Sequence, residues 1–239
     1  MMQAVLLLAW IGQACFTLQV GETRIVLDPV PAKLGYFAGP FEADVVTVSH
    51  EHFDHNALEI VAGKPQVLRG LTADGKDWSP VHFENKDVKI TSIPVYHDDV
   101  QGAKRGKNAM FLIEAHGLRI LHTGDLGHPL SPETLKQVGK VDVLLICVGG
   151  YYTVDGRGAR AVIEQLKPRV VVPMHYKTDP KSELPIATEA DFLAGWKHVK
   201  RADTNELALT ADLSEYPADE PTVLVLPPKK PGEQAPKGQ

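Results

Sequence analysis

The chain has 239 residues, of which 44% are hydrophobic, so it can form one large domain with a sizeable core. Its 30 acidic residues outnumber its 25 lysines and arginines, and the net charge of −5 disfavours a nucleic-acid-binding protein, which usually presents a basic surface. No apolar run approaches the roughly 18 residues of a membrane span, and the apolar start lacks the cationic segment of a signal peptide. We therefore expect a cytoplasmic protein that is not bound to a membrane.

Short β-branched or leucine-rich runs predict strands along the whole chain. They are residues 5–8, 16–20, 23–27, 45–48, 88–95, 110–113, 118–121, 143–146, 170–172 and 222–226. The dipeptides Gly21-Glu22 and His116-Gly117 separate paired runs, as hairpin turns do. Helices are predicted for residues 56–62, for 132–138 with Ser131 as N-cap, for 159–166, and for 189–198 with Thr188 as N-cap. This mixture indicates an α/β sandwich with two sheets inside and helices outside.

The two cysteines and the C-terminal segment have simpler interpretations. Cys15 and Cys147 each lie in an apolar run, which predicts two buried thiols and no disulfide. Residues 227–239 are rich in proline, glycine and lysine and contain one alanine as their only apolar residue. We therefore predict one domain over residues 1–226, followed by a flexible tail over 227–239.

Potential metal ligands follow four of the predicted strands. His50 comes after residues 45–48, His97 after 88–95, Asp125 after 118–121 and His175 after 170–172. In α/β proteins, side chains at the carboxyl ends of strands converge on one crevice. The placement therefore predicts a composite site at one edge of the sheets.

The densest group of candidate ligands is the hexapeptide His50-Glu51-His52-Phe53-Asp54-His55. In an extended chain His50 and His52 point to the same side, while Asp54 and His55 would begin the helix predicted at 56–62. Imidazole nitrogen and carboxylate oxygen are zinc ligands, although the carboxylates leave manganese or iron open. A solvated polar loop is the alternative, but three further candidates at other strand ends disfavour it.

The hexapeptide resembles the His-x-His-x-Asp-His signature of the metallo-β-lactamase superfamily, and His97, Asp125 and His175 follow in the family's order. The similarity runs from about residue 10 to residue 196. It is strongest to the branch of metal-dependent hydrolases that includes L-ascorbate-6-phosphate lactonase. The resemblance implies a four-layer αββα sandwich, a hydrolase activity and two divalent metal ions, with zinc as the first choice.

The resemblance also implies a role for each candidate ligand. It assigns the first ion to His50, His52 and His97, the second to Asp54, His55 and His175, and a bridging position to Asp125. Asp54 would in addition act as a general acid and base. Asp28, in Val26-Leu27-Asp28-Pro29, matches a position that supports a ligand histidine through a hydrogen bond.

The chain departs from its relatives at informative positions. Zinc β-lactamases commonly use a cysteine at the second position, whereas this chain offers Asp125, so antibiotic hydrolysis is not the first choice. Relatives often have histidine where Gln13 stands after Gly12. His122 and His128 flank Asp125 and could hydrogen-bond near it, although strand alternation could turn His122 toward the core.

Residues 98–108, between a candidate ligand and the next strand, form a candidate substrate loop. Arg105 and Lys107 could bind a phosphate or carboxylate, and Asn108 lies beside them. A solvated turn is the alternative interpretation. The side chains of Tyr151, Tyr152 and Lys177 could also line the pocket.

These features together predict hydrolysis of a small ester, lactone or phosphodiester by a water that two metal ions activate. The substrate would be a small molecule, anionic if the arginine contacts it, and neither nucleic acid nor a membrane is an expected partner. Two alternatives stay open: a nuclease or phosphodiesterase acting on nucleic acid, and a non-enzymatic metal-stabilised binding protein on the same fold. The sequence makes no prediction of the oligomeric state.

Overall fold

A computed structural model describes residues 4–37, 39–179 and 182–232. In these ranges the strands are β1 (Leu6–Gly12), β2 (Cys15–Val20), β3 (Thr23–Leu27), β4 (Phe41–Glu42), β5 (Val45–Val48), β6 (Val61–Ala62), β7 (Gln66–Arg69), β8 (His82–Glu84), β9 (Val88–Tyr96), β10 (Lys107–Ala115), β11 (Leu118–His122), β12 (Val143–Cys147), β13 (Val170–Met174), β14 (Val199–Arg201), β15 (Glu206–Leu209) and β16 (Thr222–Val225). The α-helices are α1 (Pro132–Val138), α2 (Gly156–Leu166) and α3 (Ala190–Leu193).

Every predicted strand is present, because each carries apolar side chains that are buried continuously or, as in β9, at alternate positions. Two of them, β3 and β5, have the predicted bounds, and β10 extends the prediction by several residues at each end. The hairpins at residues 21–22 and 116–117 are also confirmed. The strands that the sequence did not predict are short, and several of them, such as β14, are polar and exposed.

Two helices agree with the sequence prediction. Helix α1 has the predicted bounds, with Pro132 in its first turn and the Ser131 hydroxyl accepting a hydrogen bond from Thr134 N at 3.1 Å. Helix α2 begins three residues before the predicted start, because Asp155 caps it by accepting hydrogen bonds from two backbone N–H groups. Such a cap stabilises a helix by about 1 kcal/mol.

The other two helix predictions are wrong over most of their length. Residues 56–62 form a single 3₁₀ turn, Leu58–Ile60, followed by β6, because this segment pairs in parallel with β4. The helix predicted at 189–198 is reduced to the one turn of α3, and Glu189, not Thr188, stands at its N-cap position. Gly195, in the left-handed region at φ 84°, follows α3 and turns the chain toward β14.

The strands form two large sheets. One has the order β15-β1-β2-β3-β5-β7 and the other the order β14-β16-β13-β12-β11-β10-β9-β8. In the first sheet β1, β2 and β3 are antiparallel and β3, β5 and β7 are parallel; in the second, β8 to β11 are antiparallel and β11, β12, β13 and β16 are parallel. Buried side chains of both sheets form one continuous core, so the sheets stack face to face.

This arrangement confirms the metallo-β-lactamase sandwich. Helices α1 and α2 cover the eight-stranded sheet, where they contact β9 and β12. On the outer side of the six-stranded sheet, a smaller apolar cluster packs under 3₁₀ turns and the two-stranded sheet of β4 and β6. Among the described residues that outer layer contains no α-helix, because the helix predicted at 56–62 does not form.

The edge of the sandwich collects loops from both sheets. Strand β5 of the six-stranded sheet ends at Val48, and β9, β11 and β13 of the other sheet end at Tyr96, His122 and Met174. The loops that follow these four strands carry all the candidate ligands. The hairpin between β1 and β2 reaches the same edge, because Gln13 O accepts a hydrogen bond from His175 N.

Three further sequence predictions can be compared with the fold. Both cysteines are free and buried, as predicted. Among the described residues, no helix has the length and apolar character needed to span a membrane. Lys229, within the predicted tail, is buried, and its N–H donates to Ile11 O while its carbonyl accepts from Phe37 N. This part of the segment is therefore held against the domain, and residues 233–239 lie outside the described residues.

Candidate metal centre

The structure brings the seven predicted ligands together at the edge of the sandwich. Among the described residues, three groups of three side chains have candidate ligand atoms within 4.8 Å of one another, and two of these groups consist of predicted ligands only. The first group is His50, His52 and His97, and the second is Asp54, His55 and His175. These are the two sets that the family resemblance implies for two ions.

Asp125 lies between the two groups and contacts both. Its Oδ2 atom is 3.1 Å from His97 Nε2 and 3.4 Å from His175 Nε2, and its Oδ1 atom is 3.2 Å from His55 Nε2. Ligand atoms that surround a tetrahedral ion with bonds of 2.0–2.1 Å are separated by about 3.3–3.4 Å. The spacing around Asp125 therefore fits a carboxylate shared by two metal positions.

Hydrogen bonds at the rear of two histidines fix which ring nitrogen faces the centre. The Asp28 carboxylate lies 2.8 Å from His55 Nδ1 and also accepts hydrogen bonds from the N–H and hydroxyl of Ser49. The Ser49 hydroxyl is in turn 2.9 Å from His50 Nδ1. Both rings therefore present Nε2 to the centre, which is the usual arrangement for a metal-bound histidine.

The electrostatics of the centre are those of a strongly coupled, buried cluster. Burial and the neighbouring imidazoles hold the pKa of His50 well below its usual range. Burial opposes a charge on His55 too, but the carboxylates of Asp125 and Asp54 outweigh it and raise the pKa of that ring. Burial acts against ionisation of Asp125, yet His175 and His55 hold its pKa well below the usual range. The cluster is thus arranged to place positive charge beside Asp125.

The surroundings of one ring nitrogen test whether this cluster suits a metal ion. His55 Nε2 is buried and lies 3.2 Å from Asp125 Oδ1 and 3.7 Å from Asp54 Oδ2, but it makes no well-aligned hydrogen bond in the described part of the chain. A divalent cation would accept its lone pair, and neutral imidazoles with two carboxylates are donors that zinc, manganese and iron all accept. The residues therefore fit the metal.

Unusual backbone conformations hold the ligand loops in place. Asp28 and His175 adopt left-handed φ values of 43° and 53°, which residues other than glycine rarely do. Gly124, just before Asp125, also has a positive φ, and a Cβ there would lie 2.5 Å from Asn108 Oδ1. Strained conformations of this kind cluster at functional sites because the surrounding structure fixes them.

Two of the three predicted substrate contacts have other roles. Asn108 is fully buried, where its amide donates to Thr123 O at 2.9 Å and accepts from Asp125 N at 3.2 Å. It therefore holds the loop that carries the Asp125 carboxylate. The Lys107 ammonium forms an ion pair with Asp77 at 2.7 Å and lies over the ring of Trp78. Both residues belong to β10, which begins at Lys107, and neither lines the cavity beside the candidate ligands, so their substrate role stays a prediction.

Arg105 does reach the pocket. Its guanidinium donates to Tyr151 O at 2.6 Å and lies 5.2 Å from the centre of the Tyr152 ring. The Asp98 carboxylate fixes the surrounding loop by accepting four backbone N–H groups, among them those of Lys104 and Arg105. Burial alone would raise the pKa of Asp98, but the four donors outweigh it and lower that pKa.

The cavity beside the candidate ligands has a volume of about 530 Å³. One part of its wall is polar and includes Lys104, Arg105 and Tyr152. Another part is apolar and consists of Leu34, Phe53, Leu184 and Ile186. The sequence carries no local pattern for this apolar wall, because its residues come from three separate loops. Phe53, about half exposed inside the ligand motif, was the one available signal.

Three polar side chains near the candidate ligands have contacts that the sequence did not predict. His122 is buried in the core, with Nε2 2.8 Å from Ala14 O, and His128 accepts a hydrogen bond from Tyr96 N, so neither pairs with Asp125. Gln13, which the sequence analysis noted only as a departure from relatives, has its amide nitrogen within hydrogen-bond distance of two ligand side chains.

The chain resembles known proteins over most of its length. The sequence model of the family described as "Beta-lactamase superfamily domain" matches residues 7–175. A UPF0173 metal-dependent hydrolase of Thermococcus onnurineus is 33% identical over 203 residues, covering 76% of this chain and 88% of the relative. One of Archaeoglobus fulgidus is 29% identical over 202 residues, covering 74% and 85%.

Solved structures give the same result. A Thermotoga maritima protein described as a candidate Zn-dependent hydrolase of the metallo-β-lactamase superfamily is 33% identical, with a TM-score of 0.71, and the match covers 92% of this chain and 98% of that protein. Igni18, a metallo hydrolase of Ignicoccus hospitalis, is 22% identical with a TM-score of 0.56 and covers 79% and 88%. The second likeness shows the fold alone.

Proposed function

Because the chain belongs to the metallo-β-lactamase superfamily and is a metal-dependent hydrolase, we propose that it binds two divalent ions and hydrolyses a small ester, lactone or phosphodiester that carries an anionic group. The observation that carries this proposal is the pair of ligand groups that share Asp125. One group alone would support a mononuclear site. The shared carboxylate supports two ions a few ångströms apart.

The donor set supports zinc at the first position. His50, His52 and His97 offer three imidazole nitrogens, and a set of three histidines with one open position is a known catalytic zinc site. The Thermotoga relative is described as Zn-dependent, which agrees with this assignment. The second position has more oxygen donors, so manganese or iron would also bind there.

When bound, a pair of divalent ions lowers the pKa of a water ligand from 15.7 toward about 7 and polarises a carbonyl or phosphoryl oxygen. The chain itself then has to move protons, and Asp54 is the candidate for that role. Both Asp54 and Asp125 line the cavity, but the Asp54 side chain is 15% exposed and the Asp125 side chain 3%, so Asp54 is the more accessible of the two. It would accept a proton from the attacking water and deliver it to the leaving group.

Substrate binding falls to the two faces of the cavity. The Arg105 guanidinium is preorganised by Tyr151 O and the Tyr152 ring, so it can bind a carboxylate or phosphate at little entropic cost. The apolar wall opposite would bury a short alkyl or aryl group of the substrate. A lactone or ester with one acidic substituent matches both faces, and this shape suits the lactonase-like branch of the superfamily.

The two alternatives make different demands on the structure. A nuclease needs a basic track for the phosphate backbone, which the net charge of −5 does not favour. A non-enzymatic binding protein would not need a ligand set with an adjoining cavity and a carboxylate that borders it. The same fold hosts all three functions, so activity must decide between them.

A metal-defined activity screen tests the proposal. The purified protein, stripped and then reloaded with Zn²⁺ or Mn²⁺, is assayed against lactones, esters, phosphodiesters, β-lactams and a single-stranded oligonucleotide. The Asp54→Asn variant serves as the matched control, because it keeps one oxygen ligand but cannot act as a base. Turnover of a lactone, ester or small phosphodiester that falls at least about 100-fold in the variant supports the proposal. Cleavage of the oligonucleotide alone, or of nothing, would contradict it.

A further inference from the structure

Gln13 stands inside the candidate metal centre and has no role in the function proposed above. It lies at the tip of the hairpin between β1 and β2 and is 3% exposed. Its amide nitrogen is 2.9 Å from Asp54 Oδ2 and 2.8 Å from His175 Nε2. Both atoms belong to the group that would hold the second ion. A buried glutamine thus contacts two of the three ligands of that position.

The backbone aims this side chain at the centre. Gln13 has a left-handed φ of 53°, and its carbonyl accepts hydrogen bonds from Trp10 Nε1 at 3.0 Å and from His175 N at 3.1 Å. The preceding Gly12 packs against the Tyr36 ring so closely that a Cβ there would lie 2.2 Å from it. A strained conformation held by several independent contacts indicates that the position of this side chain matters.

The position of the amide is that of a neighbouring ligand. Atoms that share an ion with bonds of 2.0–2.2 Å lie about 2.8–3.4 Å from one another, and the amide atom meets this spacing from both Asp54 and His175. The other amide atom, Oε1, is buried and has no hydrogen-bond partner among the described residues. Amide nitrogen and oxygen exchange places by a half-turn of the terminal bond.

A cation at the second position determines which amide atom faces it. An ion there would take the lone pair of His175 Nε2, so an amide N–H in front of that nitrogen would lose its acceptor. The carbonyl oxygen, turned to the same place, becomes a donor to the ion and gains the partner that Oε1 lacks. We propose that the side-chain oxygen of Gln13 is a ligand of the second ion and biases that position toward a hard divalent cation such as Mn²⁺.

The consequence is a difference between the two metal positions. The first has three imidazole nitrogens, which suit zinc, whereas the second would have oxygens from Asp54, Asp125 and Gln13 with two imidazoles. Carboxylate and carbonyl oxygens suit manganese and magnesium better than they suit zinc. This inference rests on the dinuclear site proposed above, and the experiment separates the two.

The test measures metal binding without relying on turnover. Wild type, Gln13→Leu, Gln13→Glu and the distant control Gln19→Leu are dialysed against graded Mn²⁺ or Zn²⁺ and analysed for bound metal, and the Mn²⁺ samples are examined by electron paramagnetic resonance. Gln13→Leu should weaken the second Mn²⁺ about tenfold or more and the second Zn²⁺ less. Gln13→Glu keeps an oxygen and adds a charge, so it should bind Mn²⁺ more tightly than wild type does. Gln19, whose amide donates to Gly21 O on the surface, should behave as wild type.

Each other outcome overturns the inference. Unchanged or tighter binding of the second ion in Gln13→Leu would show that the amide only holds the ligand side chains in position or competes with the metal. If the leucine variant does not fold, the glutamate variant decides: an Mn²⁺ to Zn²⁺ preference equal to that of wild type refutes an oxygen ligand. Saturation of the wild type at one ion would instead refute the dinuclear proposal itself.

Discussion

Asp28→Asn is the most informative change that leaves the ligands themselves in place. The Asp28 carboxylate, which is fully buried, holds His55 Nδ1 at 2.8 Å and accepts two hydrogen bonds from Ser49. An asparagine oxygen at the Oδ1 position still accepts from Ser49 N, but the amide nitrogen at the Oδ2 position is a donor and accepts neither from His55 nor from the Ser49 hydroxyl. The ring then loses the bond that keeps Nε2 toward the centre.

The expected effect is a weaker second metal position. Loss of one hydrogen bond to the rear of a metal-bound histidine lowers affinity about 10- to 100-fold, which is about 1.4–2.7 kcal/mol. Competitive titration with a chromophoric chelator measures this value, and circular dichroism verifies the fold. The first ion should be less affected, because Ser49 still contacts His50 Nδ1.

A buried carboxylate elsewhere provides the control. Asp142 is 3% exposed at the start of β12, where it accepts a hydrogen bond from Arg119 N at 2.9 Å and pairs with Lys140. Asp142→Asn should lower the free energy of unfolding without changing metal affinity. The reasoning fails if Asp28→Asn binds both ions as tightly as wild type does, or if the two variants lose metal affinity equally.

Three further predictions test the periphery of the site. Arg105→Ala should raise KM for an anionic substrate about 10- to 150-fold, which corresponds to about 1.5–3 kcal/mol. The kcat for that substrate and the KM of a neutral analogue should stay nearly unchanged. Equal effects on both substrates would assign the loop a structural role. Metal affinity should decrease as the pH is lowered, by up to about tenfold per pH unit for each proton that the ion displaces. The raised pKa of His55 keeps its ring protonated at a higher pH than usual, and an ion has to displace that proton. A metal affinity that stays constant from pH 8 to pH 6 would contradict this prediction. Truncation after Leu226 should lower the melting temperature by several degrees, since it removes the backbone hydrogen bonds of Lys229. Truncation after Gly232 keeps these hydrogen bonds and serves as the control. Equal melting temperatures of the two truncated proteins would show that these hydrogen bonds contribute nothing.

The grouping of the candidate ligands could be predicted from sequence because its signal is local. Six of the seven candidates lie in the hexapeptide or directly after a β-branched strand, and the carboxyl ends of such strands meet at one edge whatever the details of the loops. Asp125 is separated from β11 by two residues, and the strand pattern still predicted that it lies at this edge. These strands could be located in the sequence because their buried side chains are apolar.

The substrate contacts could not be predicted in the same way. Lys107 and Asn108 were assigned to a loop because the apolar run begins at Met110, but pairing with β9 extends β10 back to Lys107. Asn108 then points into the protein, where its amide satisfies two loop groups. The helix predicted at 56–62 does not form for a similar reason, since Val61 pairs with Phe41 of β4 in a two-stranded sheet. Long-range strand pairing overrode local propensity in both cases.

Metal content at saturation tests the central claim most directly. Wild type and Asp125→Ala are stripped with a chelator, reloaded with excess Zn²⁺ or Mn²⁺, freed of unbound metal and analysed for elements. The account predicts about two ions per wild-type chain, and fewer than two with kcat lost for every substrate class in the variant, because Asp125 contacts ligands of both groups. One ion per wild-type chain, or two ions and undiminished turnover in Asp125→Ala, would contradict it.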